Sequence, residues 1–175
     1  MILVFTGNGK GKTTAALGQA VRAIGRGKRV LMVQFIKGPW KSGEDFVDIV
    51  GKGKDGDGSF VLKKMGLGFV GILGDKLPFE DHVNAAKKAL DYIQAEFNNF
   101  DVIIMDEVNV AVDLKLITSA EVLEVLKDCP DEKIVLLTGR SAPQELIDRA
   151  ELATEMREIK HPFNDGKWAK KNIEF

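Results

Sequence analysis

A run of glycine, lysine and threonine, TGNGKGKTT at residues 6–14, is the feature that most narrows the fold of this 175-residue chain. The four residues before it, ILVF at 2–5, are continuously apolar, which is typical of a strand buried on both faces. After the run, apolar residues return at helical spacing: Leu17, Ala20, Val21 and Ile24. The pattern predicts a buried strand, a turn with few side chains to pack, and a helix.

The turn has the chemistry of a phosphate site. Its glycines let the backbone approach an anion closely, and the helix that follows supplies free N–H groups and the positive end of its dipole. Lys12 adds a point charge for phosphate oxygens, and the Thr13 hydroxyl is suited to bind Mg²⁺. The strict P-loop pattern fails only because Thr6 occupies the first glycine position. The alternative, a flexible turn with solvated lysines, does not require Gly-Lys-Thr at a helix start.

Apolar runs and helical repeats alternate along the rest of the chain. Strands are predicted at residues 2–5, 29–36, 101–107, 133–138 and 153–159. Helices are predicted after the turn, at 79–98, at 119–128 behind a Thr118–Glu121 capping box, and after a second box of Ser141 and Gln144. This alternation predicts one α/β domain over residues 1–175, a mainly parallel sheet with helices on both faces that is P-loop NTPase-like and RecA-like. Residues 51–58, GKGKDGDG, are predicted to be mobile.

Composition and net charge indicate the cellular compartment of the protein and exclude some classes of binding partner. The chain is 45% hydrophobic and 29% charged with a formal net charge of −1, so no overall field attracts nucleic acid or a membrane surface. The single Cys129 excludes an internal disulfide and is consistent with a reducing cytoplasm. No apolar run approaches the ~20 residues of a transmembrane helix, and Met1–Phe5 is too short for a signal peptide. We expect a cytoplasmic protein with no nucleic-acid or membrane partner.

Two acids end a later buried strand. In VIIMDE, residues 102–107, Asp106 and Glu107 follow four apolar residues and would lie at the carboxyl edge of a parallel sheet, where ligands of such folds bind. Near a triphosphate, one of them would hold Mg²⁺ directly or through water. The alternative is an acidic strand end that faces solvent. Spacing alone does not decide which acid acts.

Six segments spread along the chain carry a common set of motifs. They are TGNGKGKTTAALG at 6–18, VQFIKG at 33–38, DE at 106–107, LTGR at 137–140, TEMREIKHPFNDG at 154–166 and IEF at 173–175. With these motifs the chain resembles, over essentially its whole length, the ATP:corrinoid adenosyltransferases of the P-loop type. Thr6 in place of the first P-loop glycine is typical of that family. TGNGKGKTT together with K-H-x-F-x-x-G is much more specific than a P-loop alone.

The resemblance implies an unusual use of ATP. The 5′-deoxyadenosyl group, not a phosphoryl group, would be transferred to cobalt in a cobalamin or cobinamide. Co(I) would attack C5′ of the ribose and triphosphate would leave, with ATP lying along the loop in the reverse of the usual direction. Mg²⁺ would accompany ATP, a flavoprotein would serve as reductant, and the enzyme would be a homodimer.

The resemblance also implies roles for individual residues. Lys12 and the helix start would neutralise the leaving phosphates, and Thr13 and Glu107 would hold the metal ion. Arg22 matches a family position near the nucleotide, whereas its alternative is a solvated arginine on a helix face. The full set of nucleotide-binding residues expected from the resemblance is Thr6, Gly7, Asn8, Gly9, Lys10, Gly11, Lys12, Thr13, Thr14 and Arg22.

Residues 66–74, GLGFVGILG, form a predicted apolar loop because their glycines interrupt both helix and strand. Such a loop could cover a flat macrocycle or fold onto the core. By resemblance, Phe69 has a catalytic role: with a nearby tryptophan it would displace the lower axial ligand of cobalt, so that a flavoprotein can make Co(I). Gly71 stands near the place of that tryptophan. Some relatives carry a helical lid before the first strand. Here that strand starts at Ile2, so we expect a cover from another segment or a partner subunit.

Two other classes of protein share the phosphate-binding turn. A phosphoryl-transfer or motor ATPase would release ADP and phosphate, and a non-catalytic regulator would bind ATP or corrinoid without forming a Co–C bond. The histidines, His82 and His161, show no metal-ligand spacing. Trp40 and Trp168 are expected to pack within loops rather than line a ring-binding surface.

Overall fold

The structure is a computed structural model that describes residues 1–53, 55–72, 74–161 and 166. Its strands are β1 (Ile2–Thr6), β2 (Arg29–Gln34), β3 (Val50–Gly53), β4 (Gly56–Lys64), β5 (Val102–Asp106), β6 (Ile134–Thr138) and β7 (Leu152–Glu155). They form one sheet in the order β3-β4-β2-β5-β6-β1-β7. Neighbouring strands are parallel except for the antiparallel pair β3 and β4. The predicted mainly parallel α/β sheet is confirmed.

The helices connect the strands on both sides of the sheet. They are α1 (Lys12–Ile24), α2 (Phe79–Glu96), α3 (Val108–Asp113), α4 (Ser119–Val125) and α5 (Gln144–Arg149). Short 3₁₀ turns lie at Gly43–Phe46 and Phe97–Asn99. Within the described part of the chain, no helix has the length and apolar character needed to cross a membrane.

Alternating strand residues divide the core into two layers, one on each face of the sheet. On β2, Val30 and Met32 pack in the layer that α1 covers, whereas Leu31 and Val33 pack in the opposite layer. Alanines on α1 allow that helix to approach the sheet closely. The second layer is filled from the remaining helices: Ala86, Leu90 and Ile93 of α2, Val108 of α3, Val122 of α4 and Leu146 of α5. Both faces are therefore covered, as predicted.

The glycine-rich stretch 51–58 is ordered as a hairpin in its described residues, so the prediction of a mobile segment is wrong. Val50 pairs with Ser59, and Gly53 pairs with Gly56. A Cβ atom at Gly51 or Gly58 would come within 2.2 Å of the carbonyl oxygen of Ile24. The glycines therefore serve a close approach between the hairpin and the end of α1, which low sequence complexity does not reveal.

Helix ends test the two predicted capping boxes. The first is confirmed, because Glu121 N donates to Thr118 Oγ1 at 3.2 Å and Thr118 N donates to Glu121 Oε2 at 2.7 Å. The second is wrong: α5 begins after Pro143, and no side-chain cap is formed. Proline fixes its own φ and suits a helix start without the serine hydroxyl.

Several element bounds also differ from the predicted ones. The strand predicted at 29–36 ends at Gln34, and the one predicted at 153–159 is Leu152–Glu155. The helix predicted at 119–128 ends at Val125. Helix α3, six residues long, was not predicted because its VNVAVD sequence is too short to show a helical repeat.

Candidate functional site

The carboxyl ends of four parallel strands meet at one edge of the sheet. They bring together Thr6 of β1, Gln34 of β2, Asp106 of β5 and Thr138 of β6. Strand order places β6 between β1 and β5, so the turn after β1 faces the acid at the end of β5 across one intervening strand. Ligands of open α/β sheets bind at this edge.

The turn between β1 and α1 requires glycine in two distinct ways. Gly7 and Gly11 have φ values of 93° and 108°, which side chains rarely adopt. Gly9 donates its N–H to Met156 O at 2.7 Å, and a Cβ there would come within 2.7 Å of the Arg157 carbonyl oxygen. The turn is therefore packed against the segment that follows β7, part of the TEMREIKHPFNDG motif.

Lys12 is enclosed by the turn. It is 7% exposed, and its Nζ donates to Gly7 O and to Gly9 O, each at 2.7 Å. Burial lowers the pKa of Lys12, and the nearby Glu107 carboxylate partly opposes that effect. The ammonium group thus lies inside the curve of a loop whose backbone can approach an anion, which is the arrangement that a phosphate requires.

Asp106 is the central acceptor of the site. It is 0% exposed and accepts hydrogen bonds from Thr13 Oγ1 at 2.8 Å, Thr138 Oγ1 at 2.8 Å and Gln34 Nε2 at 3.1 Å. Burial raises the pKa of Asp106, although these donors act in the opposite direction. Three strand ends and the first turn of α1 are therefore connected through one carboxyl group.

Glu107 lies just beyond β5 with a strained backbone. Its φ of 62° is left-handed, and its N–H donates to Thr138 Oγ1 at 3.0 Å. Burial, and after it the charge of Asp106, raise the pKa of Glu107 to about 7, although Lys12 and Arg140 act in the opposite direction. A second carboxyl group therefore sits in this region with its charge poorly compensated by the protein alone.

The two acids and Thr13 suit a magnesium ion that arrives with a nucleotide. Among the described residues, no group of three or more His, Cys, Asp or Glu side chains is placed to hold a metal ion. Mg²⁺ usually binds through one or two carboxylates together with phosphate oxygens, so a complete protein cage is not needed. The residues present fit that type of site. Thr13 contacts Asp106 in the structure, and spacing had left the choice between the two acids open.

Two residues of the site were missed in the sequence. Gln34 is 0% exposed, its Nε2 donates to Asp106 and to Glu44, and its Oε1 has no hydrogen-bond partner in the described residues. Thr138 Oγ1 bridges the two acidic residues: it donates to the Asp106 carboxyl group and accepts from the backbone N–H of Glu107. Each lies within a motif quoted above, VQFIKG or LTGR. The available signal was a polar residue that ends an apolar strand in a parallel sheet.

Replacing Thr138 by valine should destabilise the protein by about 2 kcal/mol. The change leaves the Glu107 N–H without its acceptor and removes one donor from buried Asp106, and unpaired buried polar groups carry such penalties. Urea unfolding would measure the difference. Thr154→Val, at an exposed position on β7, is the matched control and should change stability by less than ~0.5 kcal/mol. Equal losses in the two variants would contradict the bridging role of Thr138.

The other predicted nucleotide-binding residues do not all lie at the turn. Asn8, Lys10 and Thr14 are exposed around the turn, and Thr6 Oγ1 accepts from Ala142 N at 3.1 Å. Arg22 is exposed in the last turn of α1, about 15 Å along the helix axis from Lys12 at 1.5 Å per residue. Its role in nucleotide binding stays a prediction.

An exposed aromatic pair lies at the same edge of the sheet. Phe69, in the loop after β4, is 46% exposed, and Trp40, in the loop after β2, is 64% exposed. Their ring centroids are 6.0 Å apart with an interplanar angle of 36°. A Cβ at Gly68 would lie 2.8 Å from the Trp40 ring, so this glycine permits the contact. Phe69 is thus not a core residue, and Trp40 packs on the loop while most of its surface stays free. Trp168 lies outside the described residues.

Comparisons with known proteins identify the family of the chain. A family model described as ATP:corrinoid adenosyltransferase BtuR/CobO/CobP matches residues 1–175. The corrinoid adenosyltransferase of Escherichia coli (strain K12) is 33% identical over 181 residues, which cover 100% of this chain and 85% of the relative. Corrinoid adenosyltransferases of a Sinorhizobium species (38% identical, 100% of this chain and 80% of the relative) and of Salmonella typhimurium (32%, 100% and 85%) are also similar. The chain belongs to the ATP:corrinoid adenosyltransferase family BtuR/CobO/CobP.

Proposed function

We propose that this protein transfers the 5′-deoxyadenosyl group of ATP to the Co(I) centre of a corrinoid and releases triphosphate. The observation that carries the proposal is the position of two surfaces at one sheet edge. The phosphate-binding turn follows β1, and the exposed rings of Trp40 and Phe69 follow β2 and β4, which run parallel to it. Polyphosphate and a flat macrocycle can therefore bind at the same edge of the sheet, with the ends of β5 and β6 between them.

The reaction places clear demands on the chain. Co(I) supplies an electron pair to C5′ of the ribose, a Co–C bond forms, and the C5′–O bond breaks with its electrons on the triphosphate oxygen. Cobalt is thereby oxidised from Co(I) to Co(III). The protein must align C5′ with cobalt and stabilise the charge on the leaving group. Lys12, whose Nζ donates to Gly7 O and Gly9 O, and the N–H groups at the start of α1 would perform the second task.

Magnesium bound with ATP would be held by Thr13 and Glu107, and it would neutralise part of the phosphate charge. Asp106 accepts a hydrogen bond from Thr13 Oγ1 and orients that hydroxyl. The raised pKa of Glu107, about 7, reflects a carboxyl group whose ionised form lacks compensation in the protein alone. A cation beside it would favour the ionised form.

The products of one reaction test the proposal. The protein is incubated with ATP, Mg²⁺ and chemically reduced Co(I) cobalamin, and both products are identified by absorbance and by ion-exchange chromatography. An adenosylated corrinoid with an equal amount of triphosphate is expected. ADP and phosphate without a Co–C bond would indicate an ATPase, and binding of both substrates without product would indicate a regulator. Cobinamide in place of cobalamin compares the two corrinoids.

Further properties of the enzyme follow from family resemblance. We propose that residues 1–175 act as one catalytic domain, that the enzyme is a cytoplasmic homodimer, and that a flavoprotein supplies electrons for Co(II) reduction. One sheet contains strands from Ile2 to Glu155, which supports a single domain. Light scattering would give the mass of the assembly, and a reduced flavoprotein would replace the chemical reductant in the assay.

Phe69→Ala should affect activity that starts from Co(II) more than activity that starts from Co(I). Because the ring is 46% exposed, the substitution should lower stability by far less than the ~3–5 kcal/mol of a buried phenylalanine. Adenosylation of pre-reduced Co(I) should survive, since the nucleophile already exists. Activity from Co(II) with a flavoprotein should fall at least tenfold, because an undisplaced lower ligand keeps the reduction potential too low.

Val70→Ala is the matched control for Phe69. Val70 packs against the core and should affect both starting states alike through stability. Paired rates from Co(I) and Co(II), with melting temperatures, measure the difference between the variants. Equal losses from both states in Phe69→Ala, with a lowered melting temperature, would make Phe69 a structural residue.

A further inference from the structure

A buried aspartate–histidine pair ties the loop that carries Phe69 to helix α2. Asp75 Oδ2 accepts from Gly71 N at 2.8 Å and from His82 Nε2 at 3.1 Å, and Asp75 Oδ1 accepts from Leu77 N at 3.0 Å. The side chains of Asp75 and His82 are 8% and 2% exposed. We call these groups the Asp75–His82 clasp. It joins two backbone points of the loop to the first turns of α2.

Apolar burial does little to fix this loop. Phe69, Ile72 and Leu77 are 46%, 59% and 45% exposed, whereas Val70 packs against the core. Glycines with positive φ, including Gly71 at 68°, widen the range of conformations that the unclasped loop can adopt. Ordering such a segment has an entropic cost at every residue. The clasp is therefore a main determinant of the loop's conformation.

The chemistry of the clasp suits a fixed connection. The backbone N–H of Gly71, followed by that of Leu77, holds the pKa of Asp75 below its usual range, so Asp75 is a carboxylate at neutral pH. A carboxylate only accepts hydrogen bonds, which assigns the proton of the contact to His82 Nε2. Hydrogen bonds to a charged group are stronger than neutral ones.

We propose that His82, acting through Asp75, is a positioning residue that holds Phe69 beside Trp40 for the corrinoid. This inference rests on the proposed function. His82 does not contact a substrate in this scheme, and its effect reaches the corrinoid surface through the loop. The phosphate-binding turn follows a different strand, and its hydrogen bonds involve Gly7, Gly9 and Met156 rather than the clasp. Loss of the clasp therefore weakens corrinoid binding and leaves ATP binding unchanged.

Two substitutions at His82 and one at Asp75 test the inference. His82→Leu removes the donor, His82→Gln keeps an N–H near the position of Nε2, and Asp75→Asn weakens the acceptor. Corrinoid affinity is measured by absorbance, ATP affinity by calorimetry, and protection of the Gly71 and Leu77 amides by hydrogen exchange. We expect corrinoid binding to weaken about 10- to 100-fold in His82→Leu, with ATP affinity within twofold of the wild type and faster exchange at both amides.

Rescue and a matched control separate positioning from general destabilisation. His82→Gln should recover at least half of the lost corrinoid binding energy. The losses in His82→Leu and Asp75→Asn should be less than additive when the two are combined, because they share one hydrogen bond. Ile93→Val is the control, because Ile93 is 0% exposed and lies on the same helix about three turns after His82. It should lower the melting temperature without changing corrinoid affinity.

The contrary outcomes are distinct. Normal corrinoid affinity in His82→Leu, or equal weakening of corrinoid and ATP binding, overturns the inference. The proposed function still stands in that case if the wild-type protein makes adenosylcorrinoid. An Ile93→Val variant that also loses corrinoid affinity overturns it as well. A wild-type protein that binds no corrinoid overturns both the inference and the proposed function.

Discussion

Lys12→Ala is expected to abolish adenosylation, with kcat/KM for ATP reduced at least ~10³-fold, and to weaken ATP binding severely. Removing one well-placed donor to developing charge already reduces rates by about 10²–10³. Lys12 supplies a full positive charge, is 7% exposed, and lies inside the turn formed by Gly7 and Gly9. When the C5′–O bond breaks, the triphosphate gains negative charge relative to the same triphosphate esterified in ATP, so the loss should be larger for turnover than for binding.

Assays from pre-reduced Co(I) measure this effect without interference from the reductase. Lys12→Met keeps the aliphatic stem and should be as inactive as Lys12→Ala, which separates charge from packing. Lys127→Ala, at an exposed lysine that follows α4 and pairs with Glu124, is the control and should retain normal rates. Thr13→Ala should behave differently, because it chiefly raises the Mg²⁺ concentration required. Near-normal activity of Lys12→Ala would overturn the phosphate-binding interpretation of residues 6–14.

The glycine-rich turn at residues 6–14 and the two acids were predictable because each is a local pattern. A strand, a glycine-rich turn and a helix start are consecutive in sequence, and residues 6–14 contain the Gly-Lys-Thr pattern on which the prediction of a phosphate site rests. Asp106 likewise ends an uninterrupted apolar strand. Such patterns involve residues that are adjacent in sequence, so they can be recognised without knowledge of the strand order.

Contacts across the sheet were not predictable in the same way. Gln34 and Thr138 reach Asp106 because β2 and β6 flank β5, and nothing in either strand's own sequence states that order. The contact between Trp40 and Phe69 has the same origin, since β2 and β4 are neighbours and their following loops meet. A polar or aromatic residue just after a strand is a signal, but its partner depends on topology.

Backbone packing accounts for the wrong predictions. The glycines of 51–58 have the composition of a mobile linker, yet two of them allow the hairpin to touch Ile24. Ser141 and Gln144 have capping-box spacing, yet Pro143 starts the helix and Ser141 adopts a φ of 52°. In both cases the deciding contact involves atoms that composition and spacing do not describe.

Glu107→Gln is expected to make the nucleotide-free protein more stable and the enzyme less active. Glutamate in the unfolded chain has a pKa near 4.5, whereas burial raises that of folded Glu107 to about 7. Between these values the folded state binds more protons, so stability falls as pH rises from 4.5 through 7. Glutamine removes this penalty. The gain should be roughly 3 kcal/mol at pH 8 and close to zero at pH 4.

Asp106→Asn should have the opposite effect on stability. Asp106 accepts three hydrogen bonds, and an asparagine amide would direct a donor at Gln34 Nε2 or at the hydroxyls of Thr13 and Thr138. Such a mismatch inside a fully buried network lowers stability by several kcal/mol. Urea unfolding at pH 4 and pH 8, without nucleotide, distinguishes the two variants.

Turnover then tests which acid acts on the metal ion. If Glu107 is the metal-associated acid, Glu107→Gln should impair turnover more than Asp106→Asn, with both rates measured where each variant is folded and over a range of Mg²⁺. A variant that gains stability and loses activity cannot owe the loss to unfolding, so the effect would lie in the chemistry of the site. An equal or reversed ranking in the Mg²⁺ titrations would assign the metal to Asp106, which already contacts Thr13. The strained φ of 62° and the uncompensated charge of Glu107 would then indicate a different role for this residue at the same edge of the sheet.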